Sequence, residues 1–189
     1  MEKNAEAKEE AKEEAVSFKK ELLSWVRFFA SIIIVVFVLN FGILVNAYVP
    51  SGSMMETIQP GDRLFGSRLV YKFSEPERFD IVVFRFPDNE NEILIKRIIG
   101  LPGETVTITD GKVYINGDPS PLDDSFIKEP MNGSFGPFEV PEGCYFMLGD
   151  NRNGSADSRF WQNPYVSKEK IIGKAYFRYW PISEIKSLY

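Results

Sequence analysis

The sequence predicts a mostly β protein in which a single N-terminal transmembrane helix is followed by a β-sandwich or barrel-like domain. First, residues 28–49 form a run without any charged side chain, placed between a charged N-terminus and a more polar remainder. Second, that remainder contains short segments rich in β-branched and aromatic residues, separated by turns that contain Gly and Pro. Third, 189 residues leave room for one anchor and one globular domain.

The composition excludes several classes of function. The chain carries 22 Lys and Arg residues against 27 Asp and Glu residues, so we expect no basic face and no nucleic-acid partner. Cys144 is the only cysteine, and histidine is absent. An intramolecular disulfide and a thiolate metal cluster are therefore excluded, and the commonest metal ligand and general base are missing. We expect no metal and no other cofactor, and any hydrolytic chemistry has to use a base other than histidine.

The first segment, residues 1–27, is rich in Ala, Glu and Lys, which are strong helix formers. Charged pairs at helical spacing are mixed, because Lys8 and Lys12 repel each other whereas Glu9 and Lys12 attract. This pattern predicts a charged, solvated helix on the cytoplasmic side. A helix that binds a partner protein is the alternative, and nothing in the sequence supports it.

The second segment, residues 28–49, is the predicted transmembrane helix. As a helix it would span about 33 Å, which is enough to cross the hydrocarbon core of a bilayer. Asn40 and Asn46 make the run less apolar without interrupting it. The alternative is a cleavable signal peptide, but the apolar part of a signal peptide is usually only about 7–15 residues long. The sequence therefore favours a retained single-pass anchor.

The charges that flank this helix predict its orientation. Lys19, Lys20 and Arg27 precede it, and the first basic residue after it is Arg63. Because basic residues tend to stay on the cytoplasmic side, we expect the N-terminus in the cytoplasm. The third segment, residues 50–189, is then expected on the extracytoplasmic side of the cell membrane, and the lipid bilayer is one expected partner.

The extracytoplasmic segment has the pattern of a mostly β domain. Asp110-Gly111 separates two strand-like segments as a two-residue hairpin turn does. Residues 122–137 lack periodicity and predict a loop or a flexible insertion, while residues 167–174 could open with a helical turn. The predicted strands are residues 80–86, 92–100, 104–110, 112–117, 144–150 and 171–180.

Lys96 is a candidate general base because it lies in a predicted strand whose two faces are otherwise apolar. Alternate side chains of a strand point to opposite faces, so Lys96 shares one face with Leu94 and Ile98, and Arg97 shares the other with isoleucines. Burial disfavours the ammonium form and lowers the pKa of a lysine. A neutral Lys96 could accept a proton. The alternative is an amine that reaches the surface or pairs with a carboxylate.

Ser53 follows a glycine soon after the apolar run, in the segment PSGSMMETIQPGD. On local grounds such a serine usually belongs to a turn. Serine–lysine dyads exist as variants of the catalytic triad, but the base must reach the hydroxyl and donors must hold the developing oxyanion. Sequence spacing does not give these distances, so the residues alone leave both interpretations open.

Several segments, in the same order, resemble the motifs of bacterial type I signal peptidases. PSGSMMETIQPGD is similar to that family's nucleophile motif, P-S-x-S-M-x-P-T. RFDIVVF and IKRIIGLPGE are similar to the motif that contains the general-base lysine. GDNRNGSADSR, residues 149–159, is similar to the last motif, G-D-N-R-x-N-S-x-D-S-R. The resemblance covers the whole extracytoplasmic segment, and the anchor makes it more specific than any one motif alone.

The resemblance implies the residues that carry the chemistry. Ser53 corresponds to the family's nucleophile and Lys96 to its general base. The Ser51 hydroxyl and the Ser53 backbone N–H correspond to the donors of the oxyanion hole. In this mechanism Lys96 takes the proton of Ser53, returns it to the leaving amine and later activates water.

The last motif implies supporting residues. Ser155 corresponds to the serine that orients the lysine amine, and Asp157 and Arg159 correspond to a structural ion pair. The same segment is also typical of an Asp/Asn/Gly turn, and both interpretations can hold together. The sequence departs from the family pattern at Glu56, where proline is commonest, and at Asn153-Gly154, where Asp-Asn is typical.

The function implied by the resemblance is that of a membrane-bound serine endopeptidase. It would remove signal peptides from secretory preproteins, its expected partners, and cleave after small residues of the Ala-x-Ala type. Ser53 lies eight residues past Val45, so an extended link keeps it within about 28 Å of that residue and close to the membrane. Four apolar residues near Ser53 predict either a rim that touches lipid or core packing: Met54, Met55, Leu64 and Phe65.

Two other function classes remain as alternatives. A membrane-tethered β-rich binding module would explain the anchor and the sheet, but not an inward Lys96 together with two serine motifs. A different serine–lysine protease, such as a self-cleaving repressor-like enzyme, shares the dyad but does not need this anchor.

Overall fold

The computed structural model describes the backbone of residues 2–189 and the side chains of residues 18–189. The chain divides into two compact units, of which the first ends at Gly42 and the second comprises Ile43–Tyr189. The first unit is helical and the second is mostly β. The predicted fold class, a mostly β domain preceded by an apolar helix, is therefore confirmed.

One long helix, α1 (Glu2–Val38), continues into a π-helical turn (Leu39–Ile43). The 26-residue stretch Phe18–Ile43 is long and apolar enough to cross a membrane. The polar amide of Asn40 is satisfied within the helix, because it donates to the Val36 carbonyl oxygen at 2.9 Å. Backbone and amide groups satisfied in this way are what a lipid environment requires.

The apolar run continues past the helix into a strand. The predicted transmembrane segment, residues 28–49, includes Leu44–Tyr48, which the structure describes as the first strand of the sheet. The composition of a short apolar stretch does not distinguish a helix from a strand. The sequence alone therefore assigned the end of the helix and the strand Leu44–Tyr48 to one helix. The segment boundaries at residues 27 and 49 stay predictions.

The second unit is built from antiparallel strands. It also contains a short helix, α2 (Val70–Phe73), and two 3-10 turns, Lys168–Lys170 and Ile182–Glu184. The strands of the described residues are β1 (Leu44–Tyr48), β2 (Arg63–Ser67), β3 (Ile81–Phe86), β4 (Asn89–Gly100), β5 (Thr105–Thr109), β6 (Lys112–Ile115), β7 (Phe135–Glu139), β8 (Cys144–Leu148), β9 (Tyr165–Ser167), β10 (Ile171–Trp180) and β11 (Lys186–Ser187).

These strands form two sheets. The larger has eight strands within the described residues, in the order β1-β2-β10-β3-β4-β8-β9, with β11 paired to β10. The smaller has the order β6-β5-β7. Strands β3, β4, β5, β6, β8 and β10 correspond to the predicted ones, and the Lys168–Lys170 turn falls where a helical turn was expected. Strand β7 begins inside the predicted loop of residues 122–137.

Strand β4 is paired on both sides, with β3 and with β8. Its first half is exposed, and Ile93 has 57% of its surface accessible. Its second half is buried continuously from Lys96 to Gly100. The sheet therefore carries Lys96 into the interior at the point where β4 changes from an exposed to a buried strand.

A second feature that positions the site is the apolar cluster beneath the β1–β2 connection. Met54 and Ile58 from this connection pack there with Leu64 of β2 and Ile81 of β3. Of the four apolar residues expected at a lipid rim or in the core, Met54 and Leu64 are buried, whereas Met55 and Phe65 are exposed.

Candidate active site

Ser53 lies in the connection between β1 and β2. This connection is closed at its base, where the Val49 amide donates to the Asp62 carbonyl at 3.0 Å. Inside it, the Ile58 amide donates to the Met54 carbonyl at 2.8 Å, which forms one helical turn. Met54 and Ile58 are buried on the core side. They hold this turn, residues 54–58, against the sheet directly beside Ser53, and we call it the nucleophile turn.

The structure brings Lys96 and Ser53 together. The Lys96 Nζ lies 2.8 Å from the Ser53 Oγ and also donates to the Ile95 carbonyl oxygen at 3.1 Å. Only 3% of Lys96 is exposed, so its amine does not reach the surface. This distance is within the range over which a general base accepts a proton from a nucleophile.

Burial lowers the pKa of Lys96 to about 8 from an ordinary value of 10.5. Desolvation of the ammonium is the main cause, and the carboxylates of Asp157 and Asp150 act in the opposite direction. With a pKa of about 8, roughly a tenth of the lysine is neutral at pH 7. The site therefore maintains an amine that can act as a base near physiological pH.

Ser51 lies on the same side as the nucleophile candidate. Its Oγ is 3.5 Å from the Ser53 Oγ, and its side chain is exposed. A hydroxyl at this position is close to the place where negative charge would develop if Ser53 attacked a carbonyl. Its contribution to an oxyanion hole stays a prediction.

The supporting residues of the last motif are buried behind the pair. Asp157 accepts from the Gly149 amide at 3.0 Å and pairs in a two-pronged manner with Arg159, at 2.7 Å to Nε and 2.8 Å to Nη2. Ser155 is buried, and its Oγ has no hydrogen-bond partner among the described residues. The structure therefore contains the Asp157–Arg159 pair, whereas a hydrogen bond from Ser155 to Lys96 is not formed in it.

Sequence analysis did not identify the network around Arg97. Its guanidinium donates to both carboxylate oxygens of Asp150, at 2.8 and 2.6 Å, and Asp150 also accepts from the Thr57 hydroxyl at 2.5 Å. This network joins the nucleophile turn, the lysine strand and the last motif. The signal was present, because Arg97 lies among isoleucines as Lys96 does, and a charge that is buried there needs a partner.

Asn151 was also missed. Its backbone amide donates to the Ser53 carbonyl at 3.1 Å, and its side-chain amide donates to the Gly52 carbonyl at 3.0 Å. These two bonds fix the backbone on either side of the candidate nucleophile. Nothing in the local sequence pattern shows that an asparagine 98 residues away supplies them.

Gly149 is required by close packing. A methyl group at this position would collide with the Ser155 side chain and with the Ser53 carbonyl oxygen. We expect Gly149→Ala to lower the free energy of unfolding by about 1–3 kcal/mol, because backbone on one side cannot move away, and to reduce activity by displacing Ser53. Thermal unfolding and activity assays test this. Gly42→Ala is the control, since its added methyl meets nothing within 4 Å.

A cavity of about 300 Å³ opens beside Ser53 and Lys96. It is lined by residues of β1 and of the segment that follows it, by residues of β4, and by single residues of β3 and β10. The lining is mostly apolar, and its charged members are Arg68 and Lys96. Its apolar lining residues include Val45, Ala47 and Ile95.

Comparison with known proteins finds similarity to signal peptidases, both by a family model and by individual relatives. The family model described as "Signal peptidase, peptidase S26" matches residues 22–180. A Signal peptidase I from Leptolyngbya laminosa is 44% identical over 148 residues, which cover 75% of this chain and 71% of that protein. A Signal peptidase I from Bacillus licheniformis is 36% identical over 186 residues, which cover 92% of this chain and 97% of that protein.

Among solved structures, the crystal structure of a signal peptidase I from Enterococcus faecalis is 36% identical, with a TM-score of 0.46. The match covers 53% of this chain and 97% of that one. The region matched by the family model includes Ser53, Lys96 and Ser155.

Proposed function

The chain belongs to the signal peptidase family, peptidase S26, and is a serine peptidase; we propose that it cleaves preproteins after small residues with a Ser53–Lys96 dyad. The observation that carries this proposal is the 2.8 Å separation of Lys96 Nζ and Ser53 Oγ, with the amine buried. Removal of signal peptides is the activity of the family, and secretory preproteins are the corresponding substrates.

The first proposed step is the attack of Ser53. Neutral Lys96 accepts the hydroxyl proton while the Ser53 oxygen adds to the scissile carbonyl. The charge that develops on the carbonyl oxygen is held by the Ser53 N–H and the Ser51 hydroxyl, each worth about 3 kcal/mol in comparable sites. The tetrahedral intermediate then collapses, and protonated Lys96 gives its proton to the leaving amine.

The second step regenerates the enzyme. Water attacks the acyl ester on Ser53 as Lys96 takes a proton from that water. The ester bond then breaks, protonated Lys96 returns the proton to the Ser53 oxygen, and the signal peptide is released. Ser155, which is buried near the turn, and the Asp157–Arg159 pair support the geometry in this proposal rather than touching the reacting atoms. The steps use protons and amino-acid side chains alone, without a metal or cofactor.

The cavity supports recognition of an extended peptide. Strand β1 is the terminal strand of the large sheet, so an extended segment could add to its open edge by backbone hydrogen bonds. Val45, Ala47 and Ile95 line the adjoining space, and apolar walls of this kind favour uncharged side chains, such as alanine, over charged ones. This agrees with cleavage after Ala-x-Ala.

The proposed location is the cell membrane. Within the helical stretch Phe18–Ile43, the uncharged residues from Phe28 onward serve as the single-pass anchor. Lys19, Lys20 and Arg27 precede these residues and favour a cytoplasmic N-terminus. The second unit then lies on the extracytoplasmic side. Ser53 follows Ile43 by ten residues, which keeps the dyad within about 35 Å of the anchor along the chain.

Cleavage of a preprotein by the full-length chain in lipid vesicles tests the proposed activity. We expect a new mature N-terminus immediately after the Ala-x-Ala sequence, identified by mass spectrometry. A preprotein with phenylalanine in place of alanine at position −1 is the control and should be cleaved at least about 100-fold more slowly, because an aromatic ring does not fit a site built for a methyl group. A product that begins elsewhere would contradict the proposed specificity.

The pH dependence tests the role of Lys96. Only the neutral amine accepts a proton, so kcat/KM should rise with pH, reach half its maximum near the lysine pKa of about 8, and level off above it. The measurement is cleavage of a short fluorogenic peptide between pH 6 and 10.5. A midpoint close to 10.5, the ordinary value, would show that Lys96 is not desolvated in the working enzyme.

A further inference from the structure

The segment from residue 123 to 132, called the strap here, crosses the candidate active-site region without forming a helix or a strand. It lies within the predicted loop of residues 122–137. One end is anchored in the core, because Met131 is only 4% exposed and packs in the cluster beneath the small sheet. The rest is mainly exposed, so individual side-chain contacts hold it in place.

The strap contacts all three motif segments. Phe126 lies against the Arg97 guanidinium, with the ring centroid 4.5 Å from Cζ. Asp124 pairs with Arg152 at 2.6 Å. Arg97 is the neighbour of Lys96 in β4, and Arg152 belongs to the last motif. The third contact, to the nucleophile turn, is made by Glu56.

Glu56 accepts a hydrogen bond from the Lys128 backbone amide at 2.9 Å. Its own backbone has φ of 90°, in the region that a non-glycine residue rarely adopts. Proline, the residue of the family pattern, is held near −65° and could not take this conformation. The conformation of the turn beside Ser53 therefore excludes proline at this position, and the Glu56 side chain that occupies it contacts the strap.

Asn153 holds the strap from the other side. Its Oδ1 accepts from the Asn132 amide at 2.9 Å, while its Nδ2 donates to the Pro130 carbonyl and to the Glu129 carboxylate, both at 3.0 Å. Only an amide can accept and donate in this way. Aspartate, which is typical of the family here, could not donate and would repel the Glu129 carboxylate.

The two departures from the family pattern thus contact the same ten-residue segment. We propose that Glu56 and Asn153 are positioning residues that fasten the strap across the nucleophile turn and the last motif, and so keep Ser53 aligned with Lys96. The inference rests on the proposed function, since alignment matters for catalysis by this dyad. The strap thus connects the nucleophile turn to the last motif, in addition to the hydrogen bonds that Asn151 and Thr57 make between the β1–β2 connection and the last motif.

Tryptic cleavage after Lys128 tests whether these residues hold the strap, independently of any activity. In a Ser53→Ala background, Glu56→Ala and Asn153→Asp should each speed cleavage of the Lys128–Glu129 bond by about threefold, and together by about tenfold, because cleavage follows local opening. Glu56→Gln keeps an acceptor oxygen and should protect the bond. Asn163→Asp makes the same amide-to-acid change at an asparagine that donates to Asp88 and should have no effect.

Kinetics on the active enzyme then test positioning. We expect the double variant Glu56→Ala, Asn153→Asp to lower kcat about tenfold while KM for a preprotein changes less than about twofold, since misplacement affects the reacting atoms more than binding. The single variant Glu56→Gln, which keeps an acceptor oxygen, should have the kcat of the wild type. Faster tryptic cleavage with an unchanged kcat would overturn the positioning role, and unchanged tryptic cleavage would overturn the docking itself. A wild type that cleaves no preprotein would instead overturn the proposed function.

Discussion

Ser53→Ala and Lys96→Met should each reduce the rate of preprotein cleavage by at least about 10³-fold, because nucleophile and base act as one unit. Removing the hydroxyl leaves no oxygen to form the acyl ester. Removing the amine takes away the group that lies 2.8 Å from the hydroxyl and would accept its proton. The double variant should be no slower than the slower single variant, since the second change removes a group that no longer has a partner.

Stability measurements separate loss of chemistry from loss of structure. Lys96 has a folded pKa of about 8 against 10.5 when solvated, so its burial disfavours folding below pH 8 and this cost declines as the pH rises from 8 to 10.5. Lys96→Met fills similar space without a charge and should be more stable than wild type at pH 7, by roughly 3 kcal/mol. An inactive but stabilised variant would support the dyad, whereas a variant that cleaves at the wild-type rate would exclude Lys96 as the base.

Asp150→Ala should lower the free energy of unfolding by about 3–5 kcal/mol, because it leaves the Arg97 charge buried without its partner. Asp150 has no exposed side-chain surface and Arg97 only 7%, so solvent cannot replace the lost carboxylate. Thr57 loses its acceptor at the same time. Hydrogen exchange of the β4 and β8 amides in the full chain measures this loss.

Two control variants show whether the loss of stability in Asp150→Ala comes from the unpaired Arg97 charge. Lys168→Ala removes one member of a pair with Glu75 that is 37% and 74% exposed, and we expect a cost below about 1 kcal/mol. Combining Arg97→Met with Asp150→Leu removes both charges and should recover most of the stability lost by Asp150→Ala. If Asp150→Ala costs no more than Lys168→Ala, the buried network does not stabilise the site as we infer.

The pH profile of the Asp150 variant gives a further check. The Asp150 carboxylate raises the pKa of Lys96 against the larger effect of burial. Its removal should therefore shift the midpoint of activity below the wild-type value. An upward shift would show that Lys96 becomes solvated in the variant.

How far the sequence predicts the fold depends on the length of each pattern. The long apolar run, the Lys96 strand and the hairpin at Asp110-Gly111 are local patterns, and each corresponds to an element of the structure. Strands β1 and β9 are short, and β1 merges into the apolar run, so local composition did not separate them. Strand β7 was missed because Gly136 and Pro137 interrupt its pattern.

In the candidate site, too, the sequence predicts local features but not contacts between distant residues. Burial of Lys96 could be inferred from its neighbours in the strand, because alternation of side chains is a local property. Its 2.8 Å approach to Ser53 joins residues that are 43 positions apart, and the contacts of Asn151 and Asp150 span larger separations. Such distances depend on which strands pair and in which register, and a single sequence does not specify that.

By itself, the sequence determined that this protein has an apolar segment able to span a membrane, a mostly β remainder and a lysine placed among apolar side chains. Only the tertiary structure decided that Lys96 lies beside Ser53, that Arg97 finds Asp150, and that Glu56 and Asn153 contact one strap. The physical reason is that hydrophobic patterning acts over a few residues, whereas the partner of a buried polar group is selected by the packing of distant segments. Glu56 illustrates this, since its role was unassigned until the Lys128 amide was located 2.9 Å away.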